Sequence, residues 1–350
     1  MTSTMTNVRQ VDPRTDPLWA VLARGAGGSL FTSPPWIGAV CDTYGFEPTA
    51  RVAVDSAGRP LAGVAWIDVC DVRGSRRLAL PFCDRADPIV GDADAWLLVS
   101  GDPLAGDLPF TLRCLAGSPA VADPRLTVLG EAAWHSTALD RPLDDLYAAV
   151  RPHTRRNIGT AERARVEVVL RDDADAMVEY HRLHVGLRKR KYGLLAQPLE
   201  FFERIRQAFA PGDALRIALA LVDGRPVAGA VYVVWGDTVY YKFGASRADF
   251  LPLRPNDALH WRLIRWAHDR GLRTLDWGLS DLDQPGLVAY KDNWASEQGR
   301  IATLNAGGRP RGESAEVGRL LTTFTDLLTD ASVPDAVSDR AGAALYRYFC

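Results

Sequence analysis

The sequence contains few of the residues that would indicate a disulfide-stabilised, metal-binding or membrane-spanning protein. Its 350 residues include five cysteines, an odd number, and no two of them form a C-x-x-C pair. This spacing argues against a disulfide framework and against a zinc site. No apolar run reaches the roughly 18 residues of a transmembrane helix, and the N-terminal segment lacks the apolar centre of a secretory signal. We therefore expect a cytoplasmic protein with no bound metal.

Neither sign of charge dominates the chain. It contains 41 Lys and Arg residues against 43 Asp and Glu residues, which gives a net charge of −2. This balance excludes a globally basic nucleic-acid coat and gives no indication of DNA binding, but it permits a local basic groove. The length predicts about two domains, each large enough to bury a core without disulfides or metals.

An internal repeat indicates that the two domains share one architecture. Residues 54–63 read V-D-S-A-G-R-P-L-A-G, and residues 222–229 read V-D-G-R-P-V-A-G. Each copy lies between two short apolar runs, which predicts a β-hairpin with its turn at the Asp and Gly residues. A helix-like segment with aromatic anchors precedes each hairpin, at 34–44 and at 198–210. This order of elements predicts a mixed α/β sheet in each half.

The second half alternates predicted helices and strands. A long helix is predicted over 172–193, and a second helix begins at Asn256 or Asp257 and runs through His268. Residues 278–286 have the composition of a polar loop. Short apolar runs predict the strands, at 215–222, 226–235, 238–245, 272–277 and 300–304.

Five segments of the second half resemble the signatures of one protein family. They read T-R-R-N-I-G-T-A-E-R-A-R-V-E-V at 154–168, Y-H-R-L-H-V-G-L-R at 180–188, Y-Y-K-F-G-A-S at 240–246, P-N-D-A-L-H-W at 255–261 and G-L-V-A-Y-K-D-N-W at 286–294. In this order they resemble the Fem family, whose members transfer an amino acid from aminoacyl-tRNA to an amine of a peptidoglycan precursor. Looser matches at 29–36 and 80–90 extend the resemblance over residues 29–305.

The resemblance implies two tandem domains of the GCN5-related N-acetyltransferase (GNAT) fold. We expect domain 1 at residues 1–145, completed by the tail at 306–350, and domain 2 at residues 146–305. The resemblance also implies an enzyme of class EC 2.3 that forms an amide. Its partners would be charged tRNA and an amine acceptor, with aminoacyl-tRNA as co-substrate and no separate cofactor.

Site residues are implied by the same motifs. Acyl transfer to an amine requires stabilisation of the carbonyl oxygen as it becomes an oxyanion. Lys291 matches the lysine of the family's F-K pair, which implies this catalytic role, and Tyr290 replaces the phenylalanine. Arg188 and Tyr192, one helical turn apart, are implied to contact the diphosphate of the acceptor, and Tyr241 is implied to face it. The alternative for Lys291 is a solvated surface lysine paired with Asp292, and the alternative for Arg188 is a solvated, basic helix end.

Weaker candidates lie in other segments. Trp36 and Asp92 are candidates for lining a substrate cleft in domain 1, although a tryptophan at helical spacing more often belongs to a core. Arg155, Arg156 and Arg163 belong to a basic stretch that can follow an RNA backbone or can form a solvated helix between the domains.

Two departures from related sequences bear on the substrate. The segment 251–260 lacks the glycine-rich loop that cradles the pyrophosphate of acetyl-CoA in other GNAT proteins, because Pro255 has no N–H and Asp257 would repel phosphate. Val40 stands where the family usually has a lysine for its nucleotide-sugar acceptor, which leaves a peptide or a specialised metabolite open as the acceptor. The sequence predicts an aminoacyl-tRNA-dependent aminoacyltransferase. An acyl-CoA-dependent N-acyltransferase and a non-catalytic tandem-GNAT binding protein stay open as alternatives.

Overall fold

The computed structural model describes residues 7–307 and 315–349. In chain order the elements are β1 (Asn7–Val11), α1 (Pro17–Arg24), α2 (Pro34–Tyr44), β2 (Pro48–Val54), β3 (Pro60–Asp71), β4 (Gly74–Leu78), α3 (Ala93–Val99), β5 (Phe110–Leu115), β6 (Thr127–Ala138), α4 (Leu143–Ala149), α5 (Pro152–Arg163), β7 (Glu167–Arg171), α6 (Ala174–Tyr192), α7 (Leu199–Phe209), β8 (Leu215–Val222), β9 (Arg225–Trp235), β10 (Thr238–Ser246), α8 (Pro255–Asp269), β11 (Thr274–Asp281), α9 (Pro285–Asp292), β12 (Glu297–Ala306), α10 (Ala315–Thr329) and α11 (Asp335–Leu345). Within these two described ranges, no helix is long and apolar enough to cross a membrane.

The chain folds as two compact units. Of the described residues, unit 1 contains 7–133, 299–307 and 315–320, and unit 2 contains 134–298 and 321–349. The division therefore falls inside β6, twelve residues before the domain boundary expected at 145/146.

Unit 1 is built on a mixed sheet with a tryptophan-rich core. Its strands lie in the order β1-β2-β3-β4-β5-β12, with residues 301–306 of β12 on the edge of β5, and only the β4–β5 pair is parallel. The largest fully buried side chains of this unit include Trp19, Trp36 and Trp96. The predicted helix at 34–44 is confirmed, since α2 begins after the Ser33 cap and ends at Gly45, which has a φ of +67°.

The two copies of the sequence repeat form the two predicted hairpins. The first joins β2 to β3, and the second joins β8 to β9. The turn of the second contains Asp223 at φ +49° and Gly224 at φ +72°, between the paired residues Val222 and Arg225. Two successive positive φ angles are typical of the tight turn that an Asp-Gly pair favours.

Unit 2 contains the sheet order β11-β10-β9-β8-β7, with antiparallel neighbours except for the parallel β10–β11 pair. One face of β8 and β9 packs on α8, where Tyr232, Leu259 and Leu263 belong to one buried cluster. On β9, Gly229 approaches Tyr180 of α6, so the absence of a side chain at this position lets the helix lie close to the sheet. The predicted helix over 172–193 and the predicted strands 215–245 are confirmed to within about two residues at each end.

Two local predictions in unit 2 were wrong. Helix α8 begins at Pro255 after Arg254, and not at an Asn256 or Asp257 cap, because proline at the first helical position needs no N–H partner. The stretch predicted as a polar loop continues β11 through Asp281, and Pro285 then starts the short helix α9. Eight residues with mixed polarity give too little periodicity to distinguish such a helix from a loop.

The described C-terminal tail from Leu321 onward belongs to unit 2, whereas the resemblance had implied that the tail completes domain 1. The buried ammonium of Lys189 on α6 donates to the carbonyl of Val333 and lies 3.3 Å from Asp335, where α11 begins. Arg190 pairs with the same carboxylate at 3.0 Å. Residues 308–314 and 350 lie outside the described part of the chain.

Candidate active site

A cavity of about 600 Å³ opens in unit 2 beside the place where β10 and β11 stop pairing. The parallel register ends at Tyr240 and Asp276, and a bulge follows between Tyr241 and Phe243. Beyond this point Tyr241, Gly244, Ala245 and Ser246 of β10 line the cavity. The polar and aromatic lining residues are Lys191, Tyr192, Tyr241, Ser246, Asn256, His260, Gln284 and Tyr290.

Charge on the cavity wall is of one sign. Lys191 is the only charged side chain among the described residues that line the cavity, and no carboxylate lines it. Such a wall disfavours a protonated amine and favours a neutral amine or an anionic group.

Tyr241 projects over the cavity wall because of a glycine on the same strand. A Cβ atom added to Gly244 would collide with the Tyr241 hydroxyl. The ring of Tyr241 also lies edge-on to His260, with 4.9 Å between the centroids. Burial raises the pKa of Tyr241 well above its ordinary value, so this hydroxyl stays protonated and can donate a hydrogen bond. Its neighbour Tyr240 is buried, because successive residues of a strand face opposite sides of the sheet.

An aromatic cluster forms the floor of the cavity around His260. The imidazole lies 4.9 Å from Trp277, 5.8 Å from Tyr290 and 5.7 Å from Trp294, measured between ring centroids. Its Nδ1 atom lies 2.6 Å from the hydroxyl oxygen of Tyr232. Burial lowers the pKa of His260 to about 3, with a further contribution from the positive charge of Lys291, so the ring is neutral at physiological pH.

Lys291 is buried near the end of α9, directly after Tyr290 of this cluster. Its Nζ donates to the carbonyl of Leu279 at 2.7 Å and approaches that of Gly278 at 3.4 Å, both on β11. The alternative of a solvated lysine paired with Asp292 is wrong, because Lys291 is only 4% exposed and Asp292 pairs instead with Arg151. Lys291 is not among the described residues that line the cavity, although its neighbour Tyr290 is, and its positive charge acts on His260.

Asp257 is a second buried ionisable group close to this cluster. It lies on the first turn of α8, is only 5% exposed, and interacts with Asn157 of α5. Burial raises the pKa of its carboxyl to about 6, against the smaller opposing effect of Arg254. The same carboxyl accepts a hydrogen bond from its own backbone N–H, and Pro255 has no N–H to offer. The N-terminus of α8 therefore has few free donors for a phosphate group.

The structure separates the two predicted diphosphate contacts. Tyr192 lines the cavity at the end of α6, and the ammonium of Lys191 lies 5.0 Å from the centre of its ring. Arg188 is not among the described lining residues, and its Nε donates to the carbonyl of Leu195 at 3.2 Å. The common helical face predicted for Arg188 and Tyr192 thus does not bring both side chains to the cavity.

In unit 1, the two candidate ligand contacts, Trp36 and Asp92, both have structural roles. Trp36 has no exposed surface, its ring Nε1 donates to Cys83 Sγ at 3.3 Å, and its ring packs edge-on to Phe31. Asp92 caps α3, where its carboxylate accepts the N–H of Ala95 at 2.8 Å. A buried core tryptophan and a helix cap account for both residues without a ligand.

The three arginines of the basic stretch lie on α5 with different surroundings. Arg155 donates to the carbonyls of Ala148 and, at 2.9 Å, Val150, which terminate α4. Arg156 and Arg163 are exposed, so their guanidinium groups are open to a polyanion. Among the described residues, no group of three or more His, Cys, Asp or Glu side chains has the arrangement of a metal site.

Sequence reasoning missed His260 and its partner Tyr232. His260 lies in the P-N-D-A-L-H-W segment, which was used for the resemblance, but a single histidine on a helix gave no chemical signal. Only the sheet geometry shows that a tyrosine 28 residues earlier, on β9, reaches its ring.

The fold is similar to that of known GNAT proteins. The model of an acetyltransferase (GNAT) domain matches residues 148–292. The solved structure of FemX aligns over 89% of this chain and 99% of its own, with a TM-score of 0.66 and 14% identity. A tandem GNAT protein from the clavulanic acid biosynthesis pathway aligns over 87% of this chain and 99% of its own, with a TM-score of 0.50 and 13% identity.

One curated relative adds sequence similarity to these structural matches. Over 80 residues, the chain is 30% identical to the lipid II:glycine glycyltransferase of Staphylococcus epidermidis. The chain is similar in fold to FemX, and its residues 148–292 match a GNAT domain. The predicted resemblance and the predicted α/β tandem-GNAT fold are thereby confirmed. The glycyltransferase match covers 21% of this chain and 19% of that protein.

Proposed function

We propose that this Fem-like protein is an acyltransferase of class EC 2.3 that transfers an aminoacyl group to an amine in the cavity of unit 2. The observation that carries the proposal is the cavity beside the strands β10 and β11, with Tyr241, His260 and Tyr290 on its wall and the buried Lys291 next to Tyr290 in the chain. The similarity to a protein named lipid II:glycine glycyltransferase supports an amino acid as the transferred group.

The chemistry needs a neutral amine and a stabilised oxyanion. When the amine nitrogen attacks the ester carbonyl, a C–N bond forms and the carbonyl electron pair moves to oxygen. The C–O ester bond then breaks, and the amine proton passes to the departing hydroxyl. The absence of carboxylates among the described lining residues favours the neutral amine, and the buried charge of Lys291 favours the oxyanion. The residue that first accepts the amine proton is unassigned, and a group of the substrate can serve.

Aminoacyl-tRNA is the donor that we propose. A phosphate cradle at α8 is disfavoured by Pro255 and by the buried carboxyl of Asp257, which argues against a coenzyme A thioester. Arg156 and Arg163, exposed on α5, supply positive charge for an RNA backbone. Because charged tRNA is a cytoplasmic substrate, the proposal places the reaction in the cytoplasm.

The acceptor that we propose is an amine of a peptidoglycan precursor. Lys191 and Tyr192 both line the cavity, and the ammonium of the first and the hydroxyl of the second are donors for an anionic group of such an acceptor. Arg188 is not required for this contact, since it serves the loop at Leu195.

An acyl-CoA-dependent N-acyltransferase is the second candidate. The match of residues 148–292 to an acetyltransferase domain favours it, and the α8 terminus opposes it. The two candidates are distinguished by titrating the protein with acetyl-CoA and, separately, with a pool of charged tRNA at two salt concentrations. We expect tRNA binding that weakens steeply with salt and no saturable binding of acetyl-CoA.

Charge reversal provides the internal control of this titration. Arg156→Glu combined with Arg163→Glu should weaken tRNA binding and reduce its salt dependence, whereas Arg204→Glu on α7, a half-buried arginine paired with Glu200, should not. Tight binding of acetyl-CoA without binding of tRNA would support the second candidate and refute the proposed donor.

A further inference from the structure

We propose that His260 acts as a neutral hydrogen-bond donor through Nε2–H, held in this tautomer by Tyr232, and that it stabilises the carbonyl oxygen of the donor substrate. The inference rests on the proposed function for the identity of the substrate. The tautomer itself follows from the hydrogen bonds of the described residues and does not depend on that function.

The first step concerns the hydroxyl of Tyr232. This side chain has no exposed surface, and among the described residues its hydroxyl has one hydrogen-bond partner, His260 Nδ1 at 2.6 Å. A buried hydroxyl that has a single acceptor within reach donates to it, because a buried O–H without an acceptor loses the hydrogen bond that it makes with water in the unfolded chain. Tyr232 therefore donates and Nδ1 accepts.

The second step follows from the chemistry of imidazole. A neutral ring carries its proton on one nitrogen only, so a ring that accepts at Nδ1 carries the proton at Nε2. The surroundings keep the ring neutral: Tyr241 of β10, Trp277 of β11 and Tyr290 of α9 pack around it, and Lys291 adds a positive charge. The carboxyl of Asp257 lies near Tyr290 in the same cluster.

The third step concerns where Nε2 lies. His260 is one of the residues that line the cavity. Within the described chain, Nε2 has no hydrogen-bond partner. It is nevertheless accessible, because it is absent from the set of fully buried side-chain atoms without a partner. The edge of the ring that carries Nε2 is therefore the edge open to the cavity, where it can donate to a substrate oxygen.

This arrangement assigns His260 to the oxyanion and not to the amine proton. As the C–N bond forms, Nε2–H donates to the oxygen that gains the carbonyl electron pair, and no proton is transferred to or from the ring. A preorganised donor of this kind contributes about 10²–10³-fold to kcat in other enzymes.

The tautomer is tested by nitrogen NMR on the intact protein labelled with ¹⁵N-histidine, without any substrate. We expect His260 to show a protonated Nε2 and an unprotonated Nδ1 that do not change between about pH 5 and 8. Tyr232→Phe should shift these resonances, whereas Tyr180→Phe should not, since Tyr180 is an equally buried tyrosine that lies 3.5 Å from His184 instead. Titration of His260 in this range, or a proton on Nδ1, would overturn the inference.

The catalytic role of His260 is tested by replacing it with asparagine and with glutamine, whose side chains differ in length. The amide nitrogen of glutamine can occupy the position of Nε2, whereas that of asparagine reaches only the position of Nδ1. We expect His260→Asn to lower kcat by about 10²–10³-fold and His260→Gln to retain more of it, with KM changed less than kcat in both. Wild-type kcat in His260→Asn would refute the donor role. The expected NMR result without aminoacyl transfer would instead count against the proposed function alone.

Discussion

Replacing Asp257 with asparagine should stabilise unit 2 at neutral pH. Burial raises the pKa of this carboxyl from 3.8 to about 6, so the folded state binds a proton that the unfolded chain has already released. A shift of about two units corresponds to about 3 kcal/mol, since each unit is worth about 1.4 kcal/mol. This stability is fully present below about pH 4 and is lost as the pH rises through about 6. The asparagine side chain would have no charge to bury, and its amide can still bond to Asn157.

The assay is thermal unfolding followed by tryptophan fluorescence between about pH 4 and 8. We expect the loss of stability between about pH 4 and 6 to be smaller in Asp257→Asn than in the wild type, and the variant to unfold at a higher temperature at about pH 7.5. The control is Asp249→Asn, a change at a carboxylate whose side chain is 83% exposed, which should alter stability by less than about 0.5 kcal/mol. An identical pH dependence in Asp257→Asn and the wild type would refute the reasoning.

Three further predictions concern the site and the core. Lys291→Met should lower kcat at least about tenfold. It should also cost about 1–3 kcal/mol of stability, because two β11 carbonyls lose their donor. Unchanged turnover in a transfer assay would exclude an electrostatic role of Lys291. Gly244→Ala should displace Tyr241 and reduce kcat/KM with little change in Tm, and a crystal structure with an unmoved tyrosine would contradict this. Trp36→Ala should destabilise unit 1 by about 3–5 kcal/mol in denaturant titrations and leave KM unaltered; a specific rise in KM would restore Trp36 as a ligand contact.

Regular patterning explains which parts of the fold could be predicted from the sequence. The hairpin at 222–229 combines apolar runs with an Asp-Gly turn, and α6 has an aspartate cap at one end and Gly193 at the other. Both signals are local, so they can be identified without knowledge of the tertiary structure. The resemblance added the tandem-GNAT fold, which the structural comparisons confirm.

Tertiary packing decides the features that the sequence did not predict. The sequence leaves open whether Lys291 is solvated, because nothing in A-Y-K-D-N-W shows that its ammonium donates to the carbonyl of Leu279 on β11. Trp36 has the same helical spacing in a core as it would have beside a ligand. The pairing of Tyr232 with His260 joins a strand to a helix, and neither residue is exceptional in its own segment.

The central proposal is aminoacyl transfer in the cavity of unit 2, and a single-turnover assay tests it most directly. Charged tRNA carrying a labelled amino acid, with glycine first, is mixed with excess protein and a peptidoglycan precursor that carries a free amine. The account predicts that label moves from the ester to an amide on the acceptor, at a rate that His260→Asn lowers by about 10²–10³-fold. Label that stays on tRNA with every amino acid, while acetyl-CoA acylates the same amine, would contradict it.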